Sequence, residues 1–329
     1  MEAVLSLFPV TLFLVFLFLL DSFKLVIRKY LFGAILWGML SALLAYYLNT
    51  FILELTKIQF LTLSRYFAPG IEEILKSAFI FLMLGRKRIG FMIDAAIYGF
   101  AVGAGFALVE NVFYLRSTGD PNLWIWIIRG FGTAFMHGGC TSLTAVILIA
   151  GKSRSRFNPG IILTALLAAY GIHAAFNHFY VDPVAQTFGI IILLPVIFIL
   201  IFRYNEKQLQ TWLEIEFNSE IELLNMINNG RFLATRSGEY IASLKSRFPA
   251  ETIVDMYCLI RIYLELSIKA KRNIMLKESG FPVIIENDLE AKLKELIQLR
   301  RQIGKVGEFT LSPLIRMNYR DLWKLNSLK

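Results

Sequence analysis

Long apolar runs separated by short polar connections fill the first two-thirds of the chain. Seven of them, near 3–20, 31–52, 69–85, 91–114, 123–150, 160–180 and 187–203, approach or exceed the length of a membrane-crossing helix, which takes about 20 mostly apolar residues. Beyond residue 203 the pattern changes. Leu and Ile recur at helical spacing among Glu and Lys over 206–228 and 288–304, punctuated by Gly230, Pro249, Gly280-Phe281-Pro282 and Ser312-Pro313. The pattern predicts an all-α protein: a polytopic membrane helical bundle of about seven transmembrane helices over 1–203, then a C-terminal helical, solvated domain over 204–329.

Charge sharpens that division. Of 329 residues, 56% are hydrophobic and 18% charged, against roughly a quarter charged in a soluble domain. Residues 1–203 hold 15 Lys and Arg with 9 Asp and Glu, whereas residues 204–329 hold 19 and 16. The net charge of +9 is no nucleic-acid footprint, because the basic residues of the apolar part cluster after alternate runs. Lys24, Arg28 and Lys29 follow the first, Arg86, Lys87 and Arg88 the third, Lys152, Arg154 and Arg156 the fifth, and Arg203 and Lys207 the seventh. The remaining connections carry only Lys57, Arg65 and Arg116. Positive charge stays in the cytoplasm, so the N-terminus is expected outside the cell membrane and the tail inside. Glu2 and the lack of a small-x-small site argue for a first run that is retained as a span. Cys140 and Cys258 fall in different phases and form no disulfide or metal framework. The tail contains no phosphate loop or metal cluster and reads as a regulatory or dimerisation appendage, implying a homodimer.

Candidate chemistry lies in the apolar part. Ionisable groups at mid-bilayer cost roughly 3 kcal/mol each, so they mark function by default. The chain places Glu72, Glu73 and Lys76 in the third run, Glu110 and Asn111 in the fourth, Arg129 and His137 in the fifth, and His173, Asn177 and His178 in the sixth. All 3 histidines are therefore in hydrophobic segments. Counted from Gly85, Ala150 and Gly160, the residues Glu72, His137 and His173 each stand 13 positions in, about 20 Å at the helical rise, and Glu110 stands about 24 Å beyond Asp94. The four are expected to share one layer in the outer half of the bilayer. Pro69 suits a helix opening just before Glu72 and Glu73. His173 and Asn177, four apart, share a face, and Gly99, Gly103, Gly105, Gly138 and Gly139 allow neighbouring helices to approach.

Imidazole and carboxylate together are the ligands of a catalytic zinc that keeps a position open for water. Glu110, His137 and His173 are the expected ligands, with Glu72 or Glu73 as the base that takes the water proton. Lys76 neutralises the second acid, and Asn177 hydrogen-bonds the oxyanion or orients His173. Plainer roles stand beside these: Glu110 paired with Arg129, and Asn177 bonding one helix to another.

Glu72-Glu73-Ile74-Leu75-Lys76, Phe106-Ala107-Leu108-Val109-Glu110-Asn111, His137 and His173-Ala174-Ala175-Phe176-Asn177 follow one another in an order that resembles the motifs of the PrsW family of intramembrane proteases. That family is related to the type II CAAX prenyl endopeptidases and bacteriocin-processing proteins. The resemblance covers about residues 65–180. It implies a multi-pass metallopeptidase that cuts a membrane protein or membrane-anchored peptide on the extracytoplasmic side. The prenyl endopeptidase branch has His where this chain has Glu110 and is argued to use glutamate without metal, so that mechanism stays open here. A proton-coupled transporter or channel using the same buried Glu, Lys and His as a relay is the alternative class, and a receptor-like scaffold signalling through the tail is a third.

Overall fold

The structure, a computed structural model, describes residues 1–21, 24–117, 122–151, 158–283 and 288–315. The basic residues Lys152, Arg154 and Arg156 lie outside them. No strand occurs among the described residues. The chain divides into two compact units, Met1–Asn205 and Glu206–Lys329.

In the first unit the apolar runs become α1 (Glu2–Leu19), α2 (Arg28–Thr56), α3 (Ala68–Gly85), α4 (Met92–Ser117), α5 (Ala134–Ala150), α6 (Pro159–His178) and the start of α7 (Pro183–Asn228). Among the described residues, six helices are long and apolar enough to cross a membrane: α1, α2, α4, α6, the continuous run Leu123–Ala150 that contains α5, and Pro183–Lys207 within α7. The protein is thus a multi-pass membrane protein. The expected count was seven. The helix expected as the third span is present as α3, but its 18 residues include Glu72, Glu73 and Lys76 and it does not meet the same measure of apolarity.

The centre of this unit is α4, whose residues from Ile93 to Ala107 are buried without interruption. Its small side chains explain the burial. A Cβ on Gly103 would overlap the backbone carbonyl of His137, so glycine there lets α4 and α5 meet backbone to backbone, as small residues do between membrane helices. Asp94 caps the start of α4, its carboxylate accepting from the N–H groups of Gly90 and Phe91 at 2.8 Å each. Trp37 on α2 donates its indole N–H to the Leu75 carbonyl of α3 at 2.9 Å.

The second unit has the water-soluble logic of polar surface and apolar interior. Two of its helices, α8 (Arg236–Ser243) and α9 (Ala250–Glu278), and a third, α10 (Leu289–Thr310), gather Phe232, Ile241, Met256, Leu259, Ile260 and Leu296 into one core. At the end of α9, Gly280 takes φ +78°, a conformation open to glycine, and Phe281 N–H then closes on the Leu276 carbonyl at 2.8 Å.

Candidate active site

Two of the site helices are entered through π-helical turns, Leu63–Phe67 before α3 and Ile128–Thr133 before α5. In each, a backbone N–H reaches back five residues instead of four: Ala68 to Leu63 and Ala134 to Arg129. Such turns recur at functional sites. Helical backbone therefore enters α3 from Phe60, and Pro69 lies inside the run instead of opening it. Glu72 and Glu73 stand beyond the first turn of α3, which corrects the expectation that they complement a free helix start.

The inner layer of the site is fully buried. Lys76 Nζ donates to Glu73 Oε1 at 2.6 Å and lies 3.1 Å from His137 Nδ1. Glu73 Oε1 also accepts from His173 Nδ1 at 2.8 Å. The two imidazoles meet edge to face at 4.8 Å, and the Phe106 ring lies 4.9 Å from the Lys76 ammonium and 4.8 Å from His137. These contacts fix both rings. A carboxylate only accepts, so His173 carries its hydrogen on Nδ1 and turns the Nε2 lone pair toward Glu72, whose Oε2 is 3.7 Å away. Lysine only donates, so His137 accepts at Nδ1 and offers Nε2–H to Glu110 Oε2 at 3.0 Å.

The outer layer is partly open. Glu72 is 15% exposed and Glu110 27%, against 1% for Glu73. Glu110 Oε1 pairs with Arg129 Nη2 at 3.3 Å, and the Arg129 guanidinium lies 3.6 Å from the centre of the Tyr114 ring. Arg129 Nε donates to Asn111 Oδ1 at 3.1 Å, and Asn111 Nδ2 donates to the Ser6 carbonyl of α1 at 2.7 Å. Asn111 and Arg129 thus hold Glu110 from behind.

Asn177 is directed elsewhere. Its Nδ2 donates to the Ser64 carbonyl in the π turn at 3.0 Å, a bond between helix and turn and not a bond into the cluster. Asn49 on α2, which the sequence reading did not single out, hydrogen-bonds Glu72. Its signal was available: a lone amide near the end of an apolar run.

The donor set suits a metal. Among the described residues, one group offers three ligand atoms close together: Glu72, His137 and His173, all within 4.8 Å of one another. Two imidazoles and a carboxylate with a fourth position open are a catalytic zinc set. Glu73 on His173 Nδ1 supplies the outer carboxylate that such histidines require. Glu73 Oε2 is buried without a hydrogen-bond partner, and since buried polar atoms are nearly always satisfied, it marks room for a polar guest. Glu72 takes the place in this trio that the sequence suggested for Glu110.

A bundle of membrane-crossing helices enclosing buried imidazoles and carboxylates defines a membrane-embedded hydrolase of the metallopeptidase kind. A model of the PrsW family intramembrane metalloproteases matches residues 27–202, more than half of the chain. The chain belongs to that family and is a membrane-embedded protease, which sets the relay and scaffold classes aside. No curated protein and no solved structure gives a significant match.

Proposed function

We propose that the protein is an endopeptidase that cuts a membrane protein or membrane-anchored peptide at the extracytoplasmic side, with Glu72, His137 and His173 holding zinc and Glu110 acting as the base. The observation that carries this reading is the approach of those three ligand atoms to within 4.8 Å, beside a fourth acid that touches His137 and remains partly open. A divalent ion bound there would polarise the scissile carbonyl and acidify water.

The remaining chemistry falls to side chains. His173 is oriented by Glu73 and has Nε2 available, while His137 would ligate through Nε2 as a neutral imidazole only with its one ring proton carried on Nδ1, in place of the bond it accepts there from Lys76. Glu110, paired with Arg129, removes a proton from water as the water oxygen bonds to the peptide carbon. The same carboxyl then delivers that proton to the amide nitrogen as the C–N bond breaks. Glu73 is less suited to this role, because its side chain is 1% exposed against 27% for Glu110 and its Oε1 already serves Lys76 and His173. Lys76 offsets the Glu73 charge in the interior.

The extracytoplasmic side follows from the basic clusters at Lys24 to Lys29 and Arg86 to Arg88 on the cytoplasmic edge. That orientation, with the tail in the cytoplasm, requires α3 to cross the bilayer as well as the six apolar helices. The soluble unit then acts as a regulatory domain.

Metal content and cleavage of a single-span reporter test the roles together. Glu72→Ala should lose both bound zinc and cleavage, whereas Glu110→Ala should keep the zinc and lose cleavage. Zinc lost only from Glu110→Ala would return the ligand role to Glu110. Full cleavage by wild type carrying no metal would select the glutamate mechanism.

A further inference from the structure

The bond from Asn177 to Ser64 has a cause in the sequence. Across a π turn the carbonyl of one residue accepts from the N–H five residues on, as Leu63 does from Ala68. The next carbonyl, that of Ser64, would accept from residue 69. Residue 69 is proline, which has no N–H. The α-helical donor for Ser64 is Ala68, and that group is already committed to Leu63. Asn177 Nδ2, 3.0 Å away, supplies the missing donor.

Building on the proteolytic reading above, we infer that Asn177 is a positioning residue: by satisfying the carbonyl that Pro69 orphans, it holds the π turn open and so sets the rotation of α3 that aims Glu72 at His173. A part-buried carbonyl left without a donor favours rewinding of the turn as α-helix, with Ala68 N–H moving from Leu63 to Ser64. Rewinding removes one residue from the turn, a rotation of about 100° between the segments on either side. Glu72 lies only four residues past Ala68 and takes up that rotation first. Asn177 is well placed to prevent it, because it shares a face of α6 with His173, whose Nε2 is 3.7 Å from Glu72. One helix face thus carries both a ligand and the lock on the turn that presents its neighbour. The amide is thereby removed from duty at the scissile carbonyl.

The test is a cycle of four full-length proteins: wild type, Asn177→Ala, Pro69→Ala and the double variant. Each is assayed for kcat and KM per folded molecule on the single-span reporter, and for Tm. Asn177→Ala should lower kcat about tenfold or more with KM little changed. Pro69→Ala gives Ser64 a backbone donor at the π spacing, so the double variant should return to within about threefold of wild-type kcat. An oxyanion donor could not be replaced that way. A double variant as slow as Asn177→Ala beside an active wild type overturns the inference, and so does an Asn177→Ala protein whose Tm falls while kcat stands. If Asn177→Ala does not fold, Asn177→Asp, which offers only acceptors when ionised, replaces it in the cycle. If wild type cleaves nothing, the proteolytic reading fails by itself. The Tm values then still decide the bond: recovery in the double variant upholds the Asn177 assignment, and none overturns it.

Discussion

The two units use the same ionic chemistry in opposite settings. In the first, Lys76 and Glu73 meet at 2.6 Å with 0% and 1% of their side chains exposed. In the second, Lys292 bridges Glu265 and Asp288 at 2.8 Å each with 27% of its own side chain and 49% of Asp288 exposed. Desolvation makes the buried pair weak evidence for stability while making the loss of either partner severe. Water and salt screen the exposed pair, whose worth is small either way. The membrane unit thus gathers its buried charges at the candidate site, and the tail leaves the Lys292 bridge near the surface while burying one cation, Lys271, 3.2 Å from Glu220.

Removing one partner inside the membrane unit is the strongest way to test that contrast. Lys76→Met leaves Glu73 buried without a counter-ion and should cost about 3–5 kcal/mol, read by unfolding in micelles. Adding Glu73→Gln should recover much of that loss, and equal losses in single and double variants would break the comparison. Next in size is an effect on rate alone. Glu110→Gln sits in the half-open layer, so it should slow cleavage by about 10²–10⁴-fold while unfolding stays close to wild type. In the tail, Lys292→Ala should cost no more than about 1 kcal/mol in unfolding of the intact protein; a loss matching Lys76→Met would erase the distinction between the units.

The smallest expected effect is on proton binding. Asp288 is held below the usual carboxylate range, chiefly by its hydrogen bond from Lys292. A depressed carboxyl stabilises the fold above its unfolded-state pKa, and that contribution fades as pH falls through the depressed value. The titration midpoint of Asp288, followed by NMR, should rise toward about 3.9 in Lys292→Ala. No movement would mean that the pair does not form in solution.

Much of the site was legible because membrane helices obey a simple ruler. Length and apolarity located the helices, and counting residues from the helix ends nearest the basic clusters put Glu72, His137 and His173 at matching positions along their helices. Depth, however, carries no information about direction around an axis. The sequence groups Glu110 with the two imidazoles, whereas in the structure the acid in that trio is Glu72 and Glu110 pairs with Arg129: which acid faces Arg129 depends on rotation of α3 and α4, not on how far in each residue lies. The π turns were equally hidden, since a five-residue hydrogen bond leaves no periodic mark in only five or six residues, and Pro69 looked like a helix start. Backbone partners such as the Ser6 and Ser64 carbonyls have no sequence signature at all.

The polarity of α3 has a consequence for how the molecule is made. A segment with three ionisable groups among 18 residues enters hydrocarbon at a penalty of roughly 3 kcal/mol for each group at its centre, so it cannot settle there unaided. Glu73 has a partner within α3, Lys76, and Glu72 has one in the preceding α2, Asn49, whereas the imidazoles that complete the cluster come from α5 and α6, both later in the chain. A polypeptide that stops before α6 lacks His173 and so cannot assemble the full trio of ligand atoms.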